Sequence, residues 1–252
     1  MIPTDLQILK YIFFEKPMYY FKIKPYLKWY SYQKLEDQLK KHQENTSSRS
    51  VVLNQPLEEL DYTIFDLETT GFIPEIGHEI ISIGAIRIHG LDSCHRKTFH
   101  HLINPIRYVN RQTLQLTGLT REQLSNASPF FEGFREFMEF SEGSVLVAHP
   151  AKFDMRFLQA MLKRWKLPEY KPVVIDSQTM AQWLVPSVRY QLDPLLNHFQ
   201  IQKKERHHAL NDAMMTAELF HKLLTQTIEA NVSTLKGLKS ILYKQKKAKI
   251  PK

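Results

Sequence analysis

The chain of 252 residues holds one cysteine, Cys94, so it cannot close an intrachain disulfide and is not a small scaffold held by covalent staples. No uninterrupted apolar stretch reaches the ~18 residues that would suggest a membrane span. The amino end lacks the basic segment, apolar run and small-residue cleavage site of a secretory leader. The expectation is a soluble protein of a reducing cytoplasm. Acidic residues are missing from 231–252, which carries seven lysines, whereas 61–230 balances 18 Lys and Arg against 19 Asp and Glu. The formal net charge of +8 therefore belongs to the flanks and suggests an anionic partner, although lysine-rich ends also serve simply as solvated surface.

With 43% hydrophobic residues, the length suffices for one substantial α/β domain with an appendage. Residues 1–60 are dense in aromatics, among them Tyr19, Tyr20, Phe21, Trp29 and Tyr32, and turn polar at Lys40–Ser50, where Asn45–Ser50 has linker composition. Two short helical segments and a connector are expected there. The aromatics serve either as core, packing a helical extension on the rest, or as a stacking or docking surface. From Tyr62 the pattern changes. Tyr62–Leu67, Glu79–Ile88 and Lys97–Ile103 are short, β-branched or aromatic, and separated by turn signals, which predicts three successive antiparallel strands.

Helical spacing then takes over. Thr120–Gln123 has the form of a capping box, and Phe130, Phe134 and Phe137 fall on one helical face. Ser144–Ala148 and Val173–Ile175 are expected as further strands, each leading into a helix, and His208–Leu224 as a later helix. Three strands followed by alternating helices and strands predict a mixed sheet flanked by helices. The expected organisation is a helical N-terminal extension over 1–60, a central domain over 61–230 and a basic C-terminal tail over 231–252.

Three places carry acids where propensity disfavours them. In Phe65-Asp66-Leu67-Glu68-Thr69-Thr70-Gly71, residues two apart in a strand face the same way, so Asp66 and Glu68 project together. Their repulsion is relieved by a hard cation such as Mg²⁺ or Mn²⁺, or by plain solvent exposure. Asp154, in Ala148-His149-Pro150-Ala151-Lys152-Phe153-Asp154, sits at a strand end running into a helix, where it could also cap that helix. Asp212 lies inside an apolar-faced helix, with His207 and His208 just before it.

In this order and spacing the three boxes resemble the three exonuclease motifs of the DEDDh family, which includes the proofreading epsilon subunit of bacterial DNA polymerase III. Leu116–Thr120 followed by Arg121–Phe140 resembles the family's connecting segment, so the likeness spans Asp61 to Leu224. The resemblance implies a ribonuclease H-like fold and 3′→5′ removal of nucleotides. Asp66, Glu68, Asp154 and Asp212 would bind two Mg²⁺ or Mn²⁺ ions, with His207 as general base. It further implies that Leu67, Thr69, Thr70 and Gly71 contact the terminal nucleotide and that Phe153 packs near its base. The five-residue spacing to Asp212 selects His207, while the family's tyrosine subclass has its base at the position of His208. Pro150 departs from the Asn common in relatives and removes an N–H, which implies altered substrate positioning. Asp176 is read as a helix cap.

The expected substrate is a single-stranded 3′ end, of DNA rather than RNA, in repair, processing or proofreading beside a polymerase or other replication partner. An exoribonuclease of the same fold and a non-catalytic nucleic-acid-binding adaptor are the alternatives.

Overall fold

The computed structural model describes residues 4–44, 51–186 and 188–248, so the linker-like Asn45–Ser50 lies outside the described residues. The strands follow the β-branched runs: β1 Asp61–Thr69, β2 Ile80–His89 and β3 Asp92–Leu102, then β4 Val145–Ala148 and β5 Val174–Asp176. Among the described residues these form one sheet in the order β3-β2-β1-β4-β5. β1 to β3 pair antiparallel, whereas β4 and β5 join β1 in parallel, so the expected mixed sheet is present. β2 and β3 are joined tightly through Gly90, at φ 48, a left-handed conformation that glycine adopts without a Cβ clash.

The parallel strands need crossovers, and the helices supply them. After β3 come α4 Arg111–Thr117, α5 Arg121–Ser125, held by the Thr120/Gln123 capping box, and α6 Phe130–Phe140. α7 Ala151–Arg164 follows β4, and α8 Ser177–Leu184 follows β5. α9 Leu192–His198 and the long α10 Ala209–Glu229 complete the central part. Side chains alternate across β1: Phe65 and Leu67 join a core with Phe130, Phe134, Phe137 and Phe157, while Tyr62 and Ile64 join a second core with Phe220, Leu223 and Leu224 of α10. Asp66 and Glu68 continue the Tyr62–Ile64 row. The period of two therefore places both acids on the face that α10 covers.

The N-terminal segment is helical, as α1 Thr4–Lys10, α2 Lys16–Ile23 and α3 Tyr30–Glu44, with a short π-helical stretch at Tyr11–Glu15 joining the first two. Its aromatics divide between core and surface. Tyr19 and Tyr32 are buried in the Phe-rich core, and the Tyr32 hydroxyl donates to the Trp165 carbonyl at 2.6 Å, whereas Phe13, Phe14, Phe21 and Tyr30 are exposed.

The chain end differs from the expected basic tail. Leu235–Ala248 is a helix, α11, whose Leu235, Leu238 and Leu242 are buried in the second core at helical spacing. The Leu57 amide donates to the Ser233 carbonyl at 2.8 Å, clasping the start of this helix to the approach to β1. Lys246 lies 3.4 Å from Asp176, and burial holds the Lys239 ammonium below its ordinary pKa. A lysine-rich sequence thus covers an amphipathic helix whose apolar stripe is worth more, buried, than solvation of the segment as a free end.

Candidate active site

The carboxylates meet at one end of the sheet. β1 delivers Asp66 and Glu68, the first turn of α7 delivers Asp154, and the first turn of α10 delivers Asp212. Asp154 and Asp212 are 2% and 4% exposed, and Glu68 is 9% exposed. Ligand-capable atoms of Glu68, His207 and Asp212 all lie within 4.8 Å of one another. The fold therefore brings together the residues of the three sequence boxes, which are separated by up to 146 positions in the chain.

The electrostatics show the strain of that convergence. Burial first, and then the charges of Asp154, Asp212 and Glu68, push the Asp66 carboxyl well above the carboxylate range, with Arg206 opposing. Burial and Asp212 raise Glu68 from 4.5 to about 8. Asp154 is raised by burial, although the backbone N–H groups of Asp154 and Leu67 pull the other way, and Asp212 is raised by burial against the pull of Arg206. Arg206 makes close ion pairs with Asp212 and, at 3.3 Å, with Asp193 of α9. The site holds more anionic oxygen than its neighbouring cations compensate, which is the donor set a hard divalent ion requires.

The two histidines are separated by their backbone. His207 has φ 61, a left-handed conformation that costs a non-glycine residue about 1–3 kcal/mol. Its amide donates to Asp212 Oδ2 at 3.2 Å, fixing the imidazole beside the acids. His208 is the N-cap of α10: its Nδ1 accepts from the Asn211 amide at 3.4 Å, and its ring lies 4.6 Å from that of His100.

The other residues singled out in the sequence are distributed as follows. Leu67 turns its side chain into the Phe-rich core, so its contribution to a ligand is limited to its main chain. The Thr69 hydroxyl donates to the Gly71 carbonyl at 2.7 Å, and Thr70 is buried, its Oγ1 accepting from the Glu79 amide at 2.9 Å. Gly71 lies where a Cβ would fall 2.5 Å from the His78 ring. Phe153 is half-buried on Phe157, with ring centroids 4.9 Å apart. Pro150 is the N-cap of α7 and its carbonyl accepts from the Phe153 amide at 3.0 Å. Beside it, His149 is bound to Ser177 Oγ and the Tyr190 carbonyl, and burial lowers its pKa to about 4. Asp176 caps α8 by accepting from the Thr179 amide, as expected.

Two residues of the site escaped the sequence reading. Arg206 is one of three cations in a short loop, with Lys203 and Lys204, and nothing in its spacing announces the ion pair with Asp212. Gly84 did carry a signal, since a glycine within a strand marks close approach of another backbone. It pairs with Asp66 in register, and a Cβ there would lie 2.2 Å from Ala209 C and Leu210 N. The start of α10, and with it Asp212, rests directly on the sheet because position 84 has no side chain.

A mixed sheet that collects acids from β1 and from two helix N-termini defines a class of phosphodiester-cleaving domains. The sequence model of the exonuclease family, RNase T, matches residues 63–220, and the chain belongs to that family. It is 31% identical over 193 residues to a DNA polymerase III PolC-type of Thermotoga petrophila, and 34% identical over 203 residues to one of Streptococcus sanguinis. These matches cover 77% and 79% of this chain but 14% of each relative. Two solved structures have the same ribonuclease H-like fold. Exonuclease X in complex with 5′ overhanging duplex DNA superposes with TM-score 0.56 at 22% identity, covering 72% of this chain and 99% of that one. The nuclease domain of 3′hExo, a DEDDh family member, bound to rAMP, gives 0.58 at 21%, covering 66% and 92%.

Two outcomes follow from this geometry. Gly84→Ala should destabilise the protein by about 1–3 kcal/mol, because the obstructing atoms are backbone, and should weaken Mn²⁺ binding by displacing Asp212. Chemical denaturation together with calorimetry would show this, and unchanged Mn²⁺ affinity would separate Gly84 from the site. The second concerns pH in chelator-containing buffer. Because the folded pKa of Glu68 is raised, the folded state binds more protons than the unfolded one between 4.5 and about 8, so this group's contribution makes stability fall as pH rises through that window. Glu68→Gln should therefore lose less melting temperature between pH 5.5 and 8 than the parent chain. Parallel curves would contradict the assignment.

Proposed function

We propose that the chain is a metal-dependent 3′→5′ exonuclease of the DEDDh type, hydrolysing phosphodiester bonds at the 3′ end of single-stranded DNA. The observation that carries the reading is the convergence of Asp66, Glu68, Asp154 and Asp212 with His207, at a sheet end where burial and mutual repulsion leave the acids short of positive charge. Two Mg²⁺ or Mn²⁺ ions held by the four carboxylates would, when bound, activate the attacking water and stabilise charge on the scissile phosphate. His207 accepts the proton of that water on its imidazole. The role suits a histidine, the side chain that most often serves as a general base. The Asp212–amide bond and the left-handed backbone hold the ring at the carboxylates rather than on the helix face. His208 is committed to capping α10. Thr69, Thr70, Gly71 and the main chain of Leu67 form the wall against which the terminal nucleotide rests, with Phe153 at its base.

DNA is favoured over RNA by the polymerase relatives, and an association with a polymerase or replication partner in proofreading or repair is proposed from the same likeness. The match covers 14% of each of those relatives, so their whole-protein activity supports this association only through their names.

The test is a digest of 5′-end-labelled single-stranded DNA, duplex DNA and RNA with Mg²⁺ or Mn²⁺, resolved by length. A ladder shortening from the 3′ end, faster on single-stranded DNA, is expected; faster loss of RNA would move the substrate class, and no cleavage would remove the activity. Asp66→Ala or Asp212→Ala should abolish cleavage. His207→Ala should slow turnover by roughly 10²–10⁴-fold, the usual contribution of a general base. His208→Ala should cost far less, and the reverse order would overturn the histidine assignment.

A further inference from the structure

The loop between β1 and β2 carries Thr70, Gly71 and the exposed Phe72 directly after the acid-bearing strand, and most of its tethers come from elsewhere in the chain. The Pro74 and His78 carbonyls accept from the Arg164 guanidinium at 2.6 and 3.0 Å, and the Ile76 carbonyl accepts from Arg107 at 3.2 Å. The Gly77 carbonyl accepts from the Tyr19 hydroxyl at 2.7 Å. Tyr19 belongs to the N-terminal helical segment, outside the 63–220 stretch that matches the exonuclease family. The loop is shaped to receive it. Gly77 sits at φ 95, and a Cβ there would fall 2.8 Å from Glu15 and 2.9 Å from the Tyr11 ring.

Tyr19 also reaches the residue that fixes Thr70. Its hydroxyl lies 3.3 Å from Oε2 of Glu79, a buried carboxyl that accepts from the Arg107 amide at 2.6 Å. The Glu79 backbone in turn clamps Thr70 from both sides, because the Thr70 amide donates to the Glu79 carbonyl at 2.8 Å and the Glu79 amide donates to Thr70 Oγ1 at 2.9 Å. Glu15, on the same face of the N-terminal segment, lies 3.5 Å from the Arg107 guanidinium. Arg164 stacks over the Tyr19 ring at 4.6 Å, so the phenol is held from both ends.

We propose that Tyr19 is a positioning residue for substrate: through Gly77 and Glu79 the N-terminal segment sets the loop that presents Thr70 and Gly71 to the terminal nucleotide. The inference rests on the exonuclease reading for the identity of the ligand, but the mechanical link itself does not. A group that only orders the loop acts on binding, since the carboxylates and His207 are held by β1, α7 and α10 instead.

The experiment compares Tyr19→Phe with Tyr32→Phe in the full chain. Each loses one buried hydroxyl to a backbone carbonyl, but the Tyr32 bond ends on the Trp165 carbonyl and touches no residue of the loop, so it controls for general loosening next to Arg164. Two readouts are taken: kcat and KM on short single-stranded DNA, and hydrogen exchange of the amides in 70–79. Tyr19→Phe should raise KM and speed exchange in the loop by about 2- to 10-fold, the scale of one hydrogen bond, with kcat within twofold. Tyr32→Phe should move neither. An unchanged KM for Tyr19→Phe, or an equal rise for Tyr32→Phe, overturns the proposal. If the parent chain cleaves nothing, the exonuclease reading fails, and the exchange comparison alone decides whether Tyr19 positions the loop.

Discussion

Four carboxylates held together at low dielectric repel one another, and the fold must supply enough rigidity to keep them there without a counter-charge of equal size. Asp66 and Glu68 sit on the central strand, which pairs with β2 through both acids and with β4 over Tyr62–Ile64 just before them. Asp154 and Asp212 sit in the first turns of α7 and α10, where the positive end of each helix dipole partly offsets their charge. The two helices are anchored in different cores on opposite faces of the sheet, Phe157 and Leu158 in one, Phe220 and Leu223 in the other. Opposed packing lets the acids approach from both sides of β1. Arg206 tempers the excess charge through Asp212, and its second tie to Asp193 leaves it shared with α9.

The flanking segments extend that rigidity. α11 seals the core beneath α8 and α10, and its clasp to the residues before β1 fixes where the central strand enters. On the other side, the N-terminal helices add Tyr19, Ile23, Tyr32, Leu35 and Leu39 to the Phe-rich core. The acid-bearing sheet end is thereby braced by chain on either side of the stretch matching the exonuclease family.

Much of this was legible in the sequence because its signals are local. The strands follow β-branched periodicity, the Thr120/Gln123 box caps a helix as its spacing predicts, and alternation along β1 assigns Asp66 and Glu68 to one face. The candidate site residues stood out because their order is fixed by the chain. What stayed hidden depends on contacts across the fold. The Leu235, Leu238, Leu242 stripe was overshadowed by lysines that cover it, and the division of N-terminal aromatics into buried and exposed is set by partners such as Phe131 and Trp165 rather than by composition. The short α9 carries its apolar period, Leu192, Leu195 and Leu196, over little more than one turn, and the service Gly84 provides appears only once Ala209 lies against it.

The central claim is that these acids are gathered to share divalent cations, and calorimetric titration of Mn²⁺ into the chelator-treated chain tests it most directly. The account predicts saturable binding approaching two ions per chain, with at least one ion lost in Asp212→Asn while that variant remains folded. An absence of saturable binding by the folded parent chain, or an isotherm unaltered by Asp212→Asn, would contradict it.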